Sequence, residues 1–164
     1  MTGFMGSGKS SVGRSLADSL GWEFIDLDRY IEHKIGLKIN EIFREGEEHF
    51  RAVEAEAVRD VVTLHQITGT DVVLALGGGT ICTHSIRGLI LEQTLCIYLK
   101  VGLDTIVDRL GTCSASRPLF RNLNQVEELF DTRTPAYESA PCHIICDGKS
   151  AHEVAEEIKA FIFK

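Results

Sequence analysis

The sequence predicts an α/β protein: a central parallel sheet covered by helices on both faces. Three observations predict it. Segments of helical period alternate along the chain with short segments of strand character. The strand segments "DVVLAL" and "TLCIYLKV" are near-continuous apolar runs, as expected for strands buried on both sides. The chain opens "MTGFMGSGKSSVG", a glycine-rich loop that leads straight into a helical pattern.

Each element has a local reason. "KSSVGRSLADSLG" is a helix, with Val12, Leu16 and Leu20 at i, i+4 and i+8 and Gly21 as its stop. "WEFIDLD" alternates as a strand. "RYIEHKIG" and "KINEIFREG" are short helices. "EEHFRAVEAEAVRDVVTLH" is a long amphipathic helix, with Phe50, Val53, Ala57, Val58, Val61 and Leu64 on one face. "DVVLALGGG" is a strand that ends in three glycines. "THSIRGLILEQ" is a helix, "TLCIYLKV" a strand and "LDTIVDRLG" a helix. "TCSASRPLFRN" has no period and reads as a mobile loop. "NQVEELFDTRTPAYESA" is helical, kinked or restarted at Pro135. "CHIICD" is the last strand. The final helix is capped by Ser150, with Glu153 at the capping-box position.

Composition narrows the function. The 164 residues show no linker, repeat or low-complexity tract, so one domain over 1–164 is expected. A net charge of -7 argues against nucleic acid or a membrane surface as partner, because both repel it. Apolar runs of about seven residues fall far short of the ~20 that span a bilayer, and the glycine-rich start is not a signal peptide. The five cysteines form no C-x-x-C pair, which points to reduced thiols in a cytoplasmic setting.

The motif chemistry is more specific. Gly3 to Ser10 matches G-x-x-x-x-G-K-[ST]. The glycines let consecutive N–H groups of the loop, Gly6, Ser7 and Gly8 among them, turn inward as an anion nest. The helix start at Lys9, Ser10 and Ser11 adds its positive end. Lys9 suits the β- and γ-phosphates of a nucleotide, and Ser10 suits Mg²⁺. Only Met1 and Thr2 precede this loop, too few for the strand that should feed it. The expectation is a truncated first strand whose natural start lies upstream; a native-source mass of 18.1 kDa would contradict that.

"IDLD" sets Asp26 and Asp28 two apart, on one face if both lie on a strand. One carboxylate would then back the metal through water, and one would orient or deprotonate an attacking hydroxyl. The alternative is that Asp28 merely caps the next helix. Gly77, Gly78 and Gly79 leave backbone N–H groups open to an acceptor, or simply make a tight turn. Arg51, Arg109, Arg117 and Arg133 are candidate anion contacts, with Glu54 placed at i+3 to hold Arg51.

Together these stretches resemble the shikimate kinase family. "GFMGSGKSSVGRSLA", "FIDLDRYIE", "INEIFREGEEHFRAVEAEAV", "VLALGGGT", "SRPLF" and "RTPAYESA" follow its order over nearly the whole chain. The resemblance implies a three-layer P-loop kinase fold with a five-stranded parallel sheet. It implies transfer of the ATP γ-phosphoryl group to the 3-hydroxyl of shikimate, on the route to aromatic amino acids. It places Lys9, Ser10, Asp26 and Mg²⁺ at the phosphates, and Asp28 at the acceptor hydroxyl. Arg51 and Arg133 fall to the shikimate carboxylate, Gly77, Gly78 and Gly79 to the ring, and Phe43 and Phe50 to the pocket wall. Arg109 falls to the adenine, and Arg117 comes to the transferring phosphate from a lid at about 110–122. The acceptor segment spans about 28–65, and a monomer is expected. The competing readings are a related small-molecule kinase, such as a gluconate kinase, and a nucleotide-binding switch without acceptor chemistry. The absence of N-K-x-D counts against a GTPase switch.

Overall fold

A computed structural model describes residues 1–111 and 123–164. The elements in chain order are α1 (Lys9–Leu20), β1 (Glu23–Asp26), α2 (Leu27–Ile35), α3 (Ile39–Arg44), α4 (Glu47–Thr68) and β2 (Val72–Ala75). A 3₁₀ turn (Thr80–Cys82) follows, then α5 (His84–Gln93), β3 (Ile97–Lys100) and α6 (Leu103–Gly111). The chain ends with α7 (Leu123–Tyr137), β4 (Cys142–Ile145) and α8 (Ala151–Ile162). The predicted loop "TCSASRPLFRN", and Arg117 with it, lies outside the described residues.

The strands form two parallel pairs. β1 runs beside β2 with Glu23 opposite Val72, and β3 beside β4 with Ile97 opposite Cys142. Met1 and Thr2 join the pairs into one sheet. The Met1 ammonium donates to Leu74 O (2.6 Å), and Leu76 N–H to Met1 O (3.1 Å). On the other side Thr2 N–H donates to Ile97 O (2.8 Å), and Leu99 N–H to Thr2 O (3.0 Å). These alternating bonds are a parallel ladder. The order is therefore β1, β2, the Met1–Thr2 stub, β3, β4, where the family resemblance implies five full strands.

The sheet is covered on both faces, since the consecutive residues Tyr98 and Leu99 are both buried and point to opposite sides. α1 and α8 pack on each other, with α1 against β1 and β2. Gly13 permits that approach: a Cβ there would lie 2.6 Å from the Phe24 ring. α4 packs on α2, α3 and α5, and buries Val58 and Val62 beside Ile86 and Ile90 of α5.

Three local expectations are corrected. The "WEFIDLD" strand ends at Asp26, so Asp28 lies in the first turn of α2 and not on a strand. Asp26, not Asp28, caps that helix, accepting from Arg29 N–H at 3.3 Å. α7 runs as one helix through Pro135 rather than restarting there, with the i→i−4 bond that Pro135 cannot donate left unmade. A smaller difference is Leu64, which stays exposed on α4. The four described cysteines, Cys82, Cys96, Cys142 and Cys146, are all free thiols.

Candidate active site

The carboxyl ends of the strands open onto a cleft of about 760 Å³. Open parallel sheets hold their ligands there. An apolar cavity of about 370 Å³ lies at the opposite ends of β2 and β3, around Leu74 and Ile97. It gathers no converging arginines or lysines, so the larger cleft is the candidate site.

The phosphate loop forms one wall. Gly6 (φ 79°) and Gly8 (φ 96°) hold the left-handed backbone that turns the loop back on itself. α1 begins at Lys9, so its free N–H groups and dipole face the loop. The Lys9 ammonium donates to the carbonyls of Gly3 and Phe4, both at 2.9 Å. Ser10 donates to Asp26 Oδ2 at 2.6 Å, across 16 residues of sequence. A second hollow of about 290 Å³ lies behind the loop, lined by Gly6, Ser7, Ser11, Arg109, Cys146 and Lys149. Arg109 reaches it by donating to Gly6 O at 3.0 Å.

Asp28 faces the same cleft despite its helical setting, because the first turn of α2 follows β1 without a loop. Its pKa is raised to about 6. Enclosure in the cleft is the largest cause, and the neighbouring Asp26 and Glu54 carboxylates add to it, while Lys9 acts against it. The carboxylate nevertheless keeps contact with solvent through the cleft mouth.

The far wall comes from α4 and the glycine corner after β2. Arg51 donates from Nη1 to Glu54 Oε2 (2.7 Å) and from Nη2 to Glu47 Oε1 (3.2 Å). Its guanidinium lies 5.2 Å from the Phe50 ring and 5.9 Å from the Phe43 ring, and the two rings pack at 4.4 Å. Burial alone would lower the Arg51 pKa, but the hydrogen bonds and charges of Glu54 and Glu47 more than offset it. Glu54 is itself buried, and its other oxygen accepts from the Thr80 hydroxyl at 2.5 Å. A Cβ on Gly77 would stand 2.9 Å from Glu54 Oε1 and 3.1 Å from Asp28 Oδ1; one on Gly79 would stand 2.7 Å from Arg51 Nη2. A side chain at either position would press on the charged groups that line the cleft. Arg133 of α7 completes the ring, 3.6 Å from the Cβ position of Gly78.

Thus Lys9, Ser10, Asp26, Asp28, Phe43, Phe50, Arg51, Arg133 and the glycine triplet line one cleft. Arg109 lies across the loop from them, in the second hollow. Sequence reasoning missed Thr80, which closes the "VLALGGGT" stretch without a role assigned to it, and Lys149, which lies outside the family-like stretches. It named Glu54 only as the holder of Arg51.

Comparison with known proteins agrees with this geometry. A family model described as shikimate kinase matches residues 5–163. The chain is 43% identical over 163 residues to a shikimate kinase of Thermus thermophilus, covering 96% of this chain and 85% of that one. It is 44% identical over 163 residues to one of Moorella thermoacetica, covering 97% and 90%. Its fold superposes on a shikimate kinase from Acinetobacter baumannii solved in complex with shikimate, with a TM-score of 0.88 at 32% identity, over 99% of this chain and 90% of that one. With a family match over nearly its full length and a cleft built from the residues the motifs predict, the chain belongs to the shikimate kinase family.

Proposed function

We propose that this chain transfers the γ-phosphoryl group of ATP to the 3-hydroxyl of shikimate. The observation that carries the reading is convergence: the phosphate loop, Asp28 and the two arginines Arg51 and Arg133 line one hollow. Membership of a kinase family makes the chain an ATP-dependent phosphotransferase.

The charges explain the division of labour. ATP and a carboxylate acceptor bring about five negative charges together, and a loose phosphoryl transition state needs positioning and charge more than covalent help. The loop N–H groups of Gly6 to Ser11 cradle the phosphates. Lys9 leaves the Gly3 and Phe4 carbonyls to reach the β- and γ-oxygens. Ser10 and Asp26 already touch, and a hydroxyl with one carboxylate suits Mg²⁺, so these two residues would hold the ion, Asp26 through water. Bound there, Mg²⁺ would neutralise charge on the β- and γ-phosphates. Arg51 and Arg133 take the acceptor carboxylate, because a guanidinium donates two parallel hydrogen bonds to such a group. Asp28 accepts from the attacking hydroxyl. Phe43 and Phe50 give the ring an apolar wall, and Gly77, Gly78 and Gly79 let it approach the backbone. Arg109 packs against the nucleotide base, and Arg117 meets the transferring phosphate. Within residues 1–164, the acceptor segment is about 28–65 and the lid about 110–122. No helix among the described residues is long and apolar enough to cross a membrane. A cytoplasmic monomer acting on small molecules completes the reading.

A coupled assay of ADP release tests it, run with shikimate, with gluconate and with neither. Release that depends on shikimate is expected. Release driven by gluconate, or release without any acceptor, would contradict the assignment.

A further inference from the structure

The glycine corner that faces the acceptor has no side chains of its own to fix it. Three successive glycines have wide freedom in φ and ψ, and the backbone bonds at the turn, Thr80 N–H to Gly77 O at 3.3 Å and Cys82 N–H to Gly79 O at 3.0 Å, leave the Gly78 carbonyl unheld. Orientation must come from outside. Tyr137 is fully buried, and its ring stacks on Tyr98 with centroids 5.4 Å apart and 28° between planes. That packing fixes where its hydroxyl can point, and it donates to the carbonyl of Gly78, 59 residues away in sequence. Arg133 stands one turn earlier on α7 and approaches the same glycine. A single turn of helix therefore touches the corner twice.

The peptide between Gly78 and Gly79 is planar and trans, so its carbonyl and N–H point in opposite directions. Holding the carbonyl toward α7 aims the Gly79 N–H away from α7. Arg51 stands beside the same corner, its two terminal nitrogens 2.7 and 2.9 Å from the Cβ position of Gly79.

We propose that Tyr137 is a positioning residue: its phenol locks the Gly78–Gly79 peptide so that the Gly79 N–H is held pointing away from Tyr137, as a donor to the acceptor. The proposal rests on the reading of the cleft as the shikimate site. Tyr137 touches no reacting atom, and its effect should fall on acceptor binding alone.

Tyr137→Phe keeps the ring on Tyr98 and deletes only the hydroxyl. In the full chain the KM for shikimate should rise about 10-fold, since the hydroxyl bonds both the Gly78 carbonyl and the Arg133 guanidinium. The KM for ATP should stay within about twofold, since the phosphate loop is untouched. Loss of stability alone would not separate the two constants. The capping variant Ser150→Ala, destabilised far from the cleft, should leave both unchanged and serves as the control. In the unaltered protein, the ¹⁵N-labelled Gly79 amide should shift when shikimate is added. Equal changes in both KM values, no change in either, or a Gly79 amide blind to shikimate would each overturn the proposal. The amide measurement stands even if the Phe variant does not fold. Wild-type protein inert toward shikimate sinks the functional reading and this proposal together; active wild type with an unaffected variant sinks the proposal alone.

Discussion

Asp28, the proposed hydrogen-bond acceptor for the attacking hydroxyl, also carries a stability cost. Its folded pKa of about 6 lies above its ordinary 3.8, so ionising it is harder in the protein than in the unfolded chain. The stability that protonated Asp28 provides is fully present below about pH 3.8 and is lost as pH rises through 6. Asp28→Asn should therefore stabilise the protein at pH 7, by about 1 kcal/mol once solvent contact is allowed for. The same change should cut kcat about 100-fold or more with ATP affinity kept, because it removes the group proposed to accept from the hydroxyl. Wild-type kcat/KM for shikimate should fall below pH 6, and residual activity of the Asn variant should lack that limb. Full turnover in the Asn variant would remove Asp28 from the mechanism. Arg51→Lys should cost at least ~2 kcal/mol of acceptor binding, since an ammonium cannot reproduce the paired donors. An unchanged KM for shikimate would refute the clamp.

Helix ends decide where these side chains stand. α2 starts directly at the end of β1, and Asp26 at that junction both caps the helix and meets Ser10. The junction is why two aspartates on different elements reach one cleft. Ser150 offers the cleanest test of capping. It accepts from Glu153 N–H at 3.3 Å, and Glu153 Oε2 accepts from Ser150 N–H at 2.7 Å. Ser150→Ala should lower unfolding free energy by about 1 kcal/mol without altering either KM; denaturant titration reads the first and the coupled assay the second. This cap was legible in the sequence because its residues are three apart. The boundary of β1 was not, because alternation in "FIDLD" continues one residue past the point where the backbone turns helical. The continuity of α7 through Pro135 was also hidden: a proline signals a break, yet one lost i→i−4 bond did not end the helix.

The cleft joins segments that only the folded sheet brings together, so ligand binding should be read as stability of the entire fold. Shikimate at 100 times its Kd should raise stability by about 2.7 kcal/mol, about 5–10 °C in Tm for a chain of this size. Arg51→Lys should lose most of the shikimate shift at the same concentration and keep the ATP shift; a thermal melt with each ligand checks both. By itself the sequence determined the phosphate loop, most element types, the α8 cap and the pairing of Arg51 with Glu54, because each depends on residues a few positions apart. Only the tertiary structure decided that Met1 and Thr2 bridge β2 and β3, that Thr80 closes on Glu54 across 26 residues, and that Tyr137 holds Gly78 across 59. The physical reason is range: local spacing sets backbone propensity, while contacts between distant segments exist only after burial has selected one arrangement of the sheet.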